Sequence, residues 1–210
     1  MENNKQAKQA KIVYQNFDNR WRDFKKHNPI SRIVFYFMDR AVIITLVKIS
    51  PKSILDIGCG IGRSMSKFKN IGFKVVGIDN SPSSIIACES KGFKVGEDII
   101  KMDASHLDFN NGSFEVVFSE GLLEHFENYQ PFVEEMVRVS NKFVLLIQPN
   151  FHSLAGKIIN LATRILKREN PEELPYRMEY YINSFNKYGC KLELRKSVFF
   201  NAFTVLLFKK

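Results

Sequence analysis

Apolar and polar positions change period several times along the chain, and each change marks an element. Residues 5–26 read as a helix. Residues 30–49 read as a second helix whose apolar positions Ile33, Phe37, Val42, Leu46 and Ile49 face one way. Pro51 ends it, since proline lacks the N–H that a helix interior needs. Short apolar runs then alternate with helical stretches. Strands are predicted at 53–57, 74–78, 95–101, 114–119 and 142–148, with helices at 62–70, 82–91 and 128–139 among them. Gly92 and Gly96 leave the start of the third strand open. Such alternation implies a parallel sheet covered by helices on both faces. Unbroken apolar runs such as Val116-Val117-Phe118 suit strands buried on both sides. The end of the chain differs. A helix at 179–188 stops at Gly189, and strands at 191–196 and 202–208 follow with only residues 197–201 between them. That connection is too short for a parallel crossover, so these two strands pair antiparallel.

A chain of 210 residues that is 45% hydrophobic, with 19 Phe, suits a single domain with one core. Its parts are an N-terminal helical cap (1–50), a core (53–148), a helical insertion or lid (151–176) and a final helix with hairpin (177–210). Cys59, Cys88 and Cys190 are scattered and show no CxxC spacing, which supports neither a zinc cluster nor a disulfide framework. The first residues are polar and charged, and the apolar stretch from Ile33 to Ile49 is interrupted by Asp39-Arg40 and falls short of the ~20 residues of a membrane span. A soluble, cytoplasmic protein is expected. The net charge of +9 raises nucleic acid or an anionic membrane as partners. The basic residues are nevertheless dispersed, and no RNA-binding signature accompanies them, so nucleic acid is not favoured.

The candidate chemistry begins where the first strand turns into a helix, at Asp56-Ile57-Gly58-Cys59-Gly60-Ile61-Gly62. Glycines there let a backbone approach a ligand closely, and the helix start offers free N–H groups. A dinucleotide fold wants GxGxxG, but the spacing here is GxGxG, and Arg63 stands where the third glycine belongs. Asp56 lies two residues before the first glycine. An acid at that point repels a pyrophosphate but can hold the ammonium of an amino-acid moiety, which suits S-adenosylmethionine. The second strand ends in Asp79, 21 residues after Gly58, a distance at which an acid accepts hydrogen bonds from ribose hydroxyls. Asn80 and Ser81 follow, and Pro82 suits the first turn of the next helix.

The succession ILDIGCGIGR, VVGIDNS, Met102-Asp103-Ala104 and FEVVFSEGLLEHF resembles the four motifs of class I small-molecule methyltransferases, most closely the broad methyltransferase-11/25-like group. The resemblance covers residues 53–148. It implies a Rossmann-like α/β fold: a mostly parallel seven-stranded sheet, helices on both faces, and an antiparallel C-terminal hairpin. It implies S-adenosyl-L-methionine as cofactor, with Asp56 at the methionine end, Asp79 on the ribose, and Asp103-Ala104 with Met102 at the adenine. Gly58, Cys59, Gly60 and Gly62, with Asn80, Glu120 and Gly121, complete the expected cofactor set. In-line displacement of a methyl group requires proximity, alignment and sometimes a base for the acceptor's proton. His125 is the base candidate, since histidine ordinarily exchanges its proton near neutral pH. The resemblance equally allows it to shape the loop. Some quinone O-methyltransferases of the group carry metal-binding acids one helical turn apart beside this histidine. Here Gly121 stands at the first of those positions and Glu120 is displaced by one, so no metal is expected.

The segment directly after the fourth strand holds neither an Asn/Asp-Pro-Pro-Tyr motif nor a cysteine, which disfavours methylation of base amino groups and of pyrimidine C5. After the fifth strand, residues 152–168 form a basic amphipathic helix carrying Leu154, Ile158, Leu161 and Ile165. It can pack on its own domain, cover the pocket as a lid, or rest on an anionic membrane. By analogy with the group, Tyr14, Phe17, Trp21 and Tyr176 line or close the acceptor site, together with His125. The expected function is methyl transfer to a small-molecule or lipid-like acceptor. An RNA methyltransferase of the same fold and a non-catalytic binding protein are the alternatives.

Overall fold

The computed structural model describes residues 29–165 and 173–210. The helix expected at 5–26 lies outside them. The elements run α1 (Pro29–Ile49), β1 (Ile54–Ile57), α2 (Arg63–Ile71), β2 (Val75–Asp79), α3 (Pro82–Glu89), β3 (Ile99–Lys101) and β4 (Phe114–Glu120). A single tight helical turn, Leu123–His125, leads to α4 (Gln130–Val139) and β5 (Ser140–Pro149). Then come α5 (Leu154–Ile165), α6 (Met178–Lys187), β6 (Lys191–Val198) and β7 (Phe203–Lys209).

One sheet holds all seven strands in the order β3-β2-β1-β4-β5-β7-β6. The strands β1 to β5 are parallel, and β7 enters antiparallel between β5 and β6, as the short final connection predicts. From β1 the chain moves to one side to form β2 and β3, then crosses to β4 on the other side. The connections leaving β1 and β4 therefore part over the carboxyl edge of the sheet and open a crevice there. Alternate residues of the central strands feed two apolar layers. Leu55, Ile57 and Val117 face the layer that includes α4 and α6, whereas Ile54, Val116 and Phe118 face α1 and α2.

Two expectations about elements need correction. The third strand is only Ile99–Lys101. Before it the chain folds back at Gly96 (φ 86), with Asp98 N donating to Lys94 O at 2.8 Å, and Val95 keeps one isolated bridge to Ile99. Within α1 the buried side is Met38, Ala41, Val42 and Leu46, while Ile33 and Phe37 face outward at 51% and 44% exposure. That helix is apolar nearly all round, so periodicity does not select its inner face. The insertion helix α5 also presents its stripe outward, with Leu154 at 77% exposure.

Gly77 on β2 shows how tightly the sheet backs the crevice. A Cβ there would collide with Met65 Sδ and stand 2.8 Å from Met65 Cε and 2.9 Å from Cys59 Sγ. Met65 is fully buried, so its thioether can give way only by displacing other core side chains. Gly77→Ala is therefore expected to destabilise the fold by about 1–3 kcal/mol, the usual range for an overpacked core. Urea denaturation should show a lower midpoint with an unchanged slope. An unchanged midpoint would mean that the layer yields more easily than its burial implies.

Candidate cofactor site

The crevice is lined from four segments: the glycine loop with the start of α2, the end of β2, the turn after β3, and the end of β4. The loop is tied down from behind. Gly58 N and Cys59 N both donate to Ile78 O, at 2.9 and 3.0 Å. Gly58, Gly60 and Gly62 take φ values of 71°, 53° and 70°, the left-handed region that glycine enters without cost. Gly62 has a further reason to be glycine, because a Cβ there would lie 2.9 Å from Cys88 Sγ and 3.1 Å from the Phe93 ring. It packs α2 against α3 and does not itself line the crevice. Cys59 and Cys88 both donate to Gly60 O, at 3.7 and 3.3 Å. The Cys88 sulfur beside it, with burial, holds the Cys59 thiol well above its ordinary pKa.

Asp56, the third residue of β1, is 2% exposed, and its Oδ2 finds no hydrogen-bond partner among the described residues. Burial, then the neighbouring Glu120 carboxylate, push its pKa well above the ordinary value, with Arg63 acting in the opposite sense. Arg63 pairs with both oxygens of Glu120 and also with Asp39 of α1, which in turn takes Lys67. Ser64 Oγ donates to Glu120 at 3.1 Å, and the Arg63 guanidinium lies 4.5 Å from the Phe35 ring centre. In this cluster three acids, Asp39, Asp56 and Glu120, meet two bases, Arg63 and Lys67. With Asp56 ionised it is one positive charge short.

Asp79 accepts from Gly60 N at 2.8 Å through Oδ2 and from Ser81 N at 2.9 Å through Oδ1. These contacts turn its carboxylate toward the loop. Ser81 caps α3, accepting from Ser84 N at 3.2 Å ahead of Pro82 in the first turn. Met102 N donates to Asp79 O at 3.1 Å, which brings Met102 and Ala104 to the crevice wall.

Of the expected cofactor set, all but Gly62 and Asp103 line the crevice. Asp103 is exposed and closes a local turn, accepting from Ser105 N at 2.9 Å and Ser105 Oγ at 2.8 Å. His125 is 3% exposed and lies off the lining, within the turn after β4. Glu124 beside it is held well above its ordinary pKa by burial and then by Glu173. Tyr176 is half-buried and donates to Phe126 O and Glu127 O at 3.0 and 2.9 Å, which clamps the segment after β4 instead of lining the crevice. Tyr14, Phe17 and Trp21 lie outside the described residues. The lining also includes Ile61, Arg63, Ser64, Ile78 and Leu122, which the motifs did not single out. For Arg63 there was a signal: a cation in place of a glycine, in a segment with an acid at its start.

The sequence matches the family model described as methyltransferase domain over residues 55–146. Norajmaline N-methyltransferase of Rauvolfia serpentina is 30% identical over 95 residues, 43% of this chain and 32% of that protein. The probable chloroplastic tocopherol O-methyltransferase of Oryza sativa subsp. japonica is 32% identical over 135 residues, 55% of this chain and 36% of that protein. The matches thus span about a third of the length of these curated relatives. In three dimensions the chain is similar to the magnesium protoporphyrin IX methyltransferase of Synechocystis PCC 6803, crystallised with SAH. The TM-score is 0.75 at 16% identity, covering 96% of this chain and 99% of that one. At that identity the likeness speaks for the fold. Motifs, strand order and family match agree: residues 55–146 match the methyltransferase domain model, and the chain has the Rossmann-like class I methyltransferase fold.

Proposed function

We propose that the chain binds S-adenosyl-L-methionine in this crevice and transfers its methyl group to a small, lipid-like acceptor. The observation that carries the reading is the unpartnered, buried Oδ2 of Asp56, whose ionisation leaves the cluster one cation short. A buried carboxylate without a partner is costly unless a ligand completes it. The ammonium of a methionine moiety supplies the missing charge and N–H donors. A dinucleotide's pyrophosphate would instead meet Asp56 and Glu120 as like charges.

When bound, the cofactor supplies a methyl carbon activated by positive sulfur. The residues of this chain hold and align. Asp56 and Glu120 take the ammonium, and Asp79 accepts from the ribose hydroxyls while keeping its hold on Gly60 N. Met102, Ala104 and Leu122 present apolar surface to the adenosyl part. His125 acts by fixing the turn after β4, in keeping with its burial away from the lining. Catalysis then comes chiefly from proximity and orientation of the acceptor. Relatives named for an alkaloid and for tocopherol support a small organic acceptor, and the latter a lipid-like one.

Calorimetric titration tests the cofactor. The wild type should bind S-adenosylmethionine and S-adenosylhomocysteine but not NAD. Asp79→Ala should weaken both by at least tenfold, about 1.4 kcal/mol. A preference for NAD would overturn the reading.

Asp56 yields a second expectation through pH. Below the unfolded value of 3.8 the group is protonated in both states and contributes nothing. As pH rises past it, the unfolded chain loses the proton while the folded chain keeps it, so stability falls until the raised folded pKa is passed. Asp56→Asn should therefore gain stability over the wild type across this window while losing cofactor affinity. Melting curves at steps from about pH 4 to about pH 8 would show the two proteins diverging. Parallel curves would mean that the acid titrates normally.

A further inference from the structure

The sheet edge that carries the crevice also carries an exposed apolar surface. Glu120 at the end of β4 lies opposite Ile147, Pro149 at the end of β5 opposite Phe203, and Phe203 opposite Val198 at the end of β6. The β6–β7 turn therefore stands at the same edge as the crevice. At its tip Phe199, Phe200 and Asn201 all take left-handed φ values of 46°, 53° and 67°. This is unfavourable for bulky side chains. The turn nevertheless leaves Phe200 85% exposed.

The apolar surface continues in both directions from this tip. The Phe199 ring lies 5.4 Å from Phe200 and 5.8 Å from Phe37 of α1. From Phe37 the outer side of α1 carries Ile33, Tyr36, Ile44 and Val47, all between 47% and 57% exposed. Asn150 N donates to Ala202 O at 2.8 Å, which docks the start of the insertion against the same turn. There Leu154, Ile158 and Leu161 of α5 stand between 58% and 77% exposed.

Among the described residues the charges on this face are of one sign. The single acid of α1, Asp39, is buried in the ion cluster. Neither α5 nor residues 196–202 contain Asp or Glu. Arg32, Arg40, Lys157 and Lys196 are exposed around the apolar positions. A second copy of the chain docked here would set these cations against their own kind. An anionic bilayer surface matches both properties, taking apolar side chains at the acyl boundary and cations among its headgroups. No helix among the described residues is long and apolar enough to cross a membrane.

We propose that this face, built from the outer side of α1, the β6–β7 turn and α5, docks peripherally on an anionic lipid surface. Docking sets the neighbouring crevice against the membrane, from which an acceptor dissolved in lipid reaches it. The contact itself needs neither cofactor nor turnover, so it stands or falls separately from methyl transfer.

Sedimentation of the full chain, without cofactor, with vesicles of phosphatidylcholine alone or mixed with phosphatidylglycerol tests this. The wild type should sediment with the mixed vesicles, less with phosphatidylcholine alone, and less again as salt is raised. The exposed double variant Phe200→Ser/Ile158→Ser should bind at least tenfold more weakly with an unchanged melting curve. Lys157→Glu, which alters charge alone, should weaken binding to the mixed vesicles specifically. Failure of the wild type to bind, or equal binding by the double variant, overturns the proposal. So does a wild-type dimer in gel filtration that the same substitutions turn into monomer, since that assigns the face to a second copy.

Discussion

Asp56 is the third residue of a four-residue strand with a parallel neighbour on each side, which holds its carboxyl out of water. The glycine loop begins two residues later and spends its first two N–H groups on Ile78 O, and one carboxyl oxygen of Asp56 is left without a partner. The surrounding arrangement answers this buried acid. Arg63 moderates it from the first turn of α2, Glu120 adds a second carboxylate from the end of β4, and Ser64 holds that carboxylate in place. A residue that opposes folding when alone and favours it when liganded couples occupancy to stability.

The same cluster gives α1 a place in the site. Asp39 projects from that helix to Arg63 and Lys67, so the cap is joined to the crevice by charge as well as by the packing of Met38, Val42 and Leu46. A change in the ion balance at Glu120 is thereby felt at α1, which also presents the exposed face beside the crevice.

Most of this order was legible in the sequence. Strands β1, β2, β4 and β5 declare themselves because both faces of each are covered, which demands nearly continuous apolar residues. Asp56 and Asp79 were legible from their spacing around the glycines. The third strand misled because Val95 and Ile99 flank a turn at Gly96 and belong to one apolar patch without belonging to one strand. Asp103 stands off the lining because the chain there alternates: Met102 and Ala104 reach the crevice wall and the residue between them is exposed. The contacts of Arg63 span 24 residues back to Asp39 and 57 forward to Glu120, and local pattern carries no trace of such pairings.

The position of β7 bears on how the chain is made. It lies between β5 and β6, yet it leaves the ribosome after both. Until Phe203–Lys209 emerges, the edge of β5 has no neighbour and β6 has nothing to join. The cofactor half of the sheet can assemble during synthesis, whereas the other half waits on β7. Through that interval an unpaired apolar edge at Val144–Ile147 stands open to wrong partners.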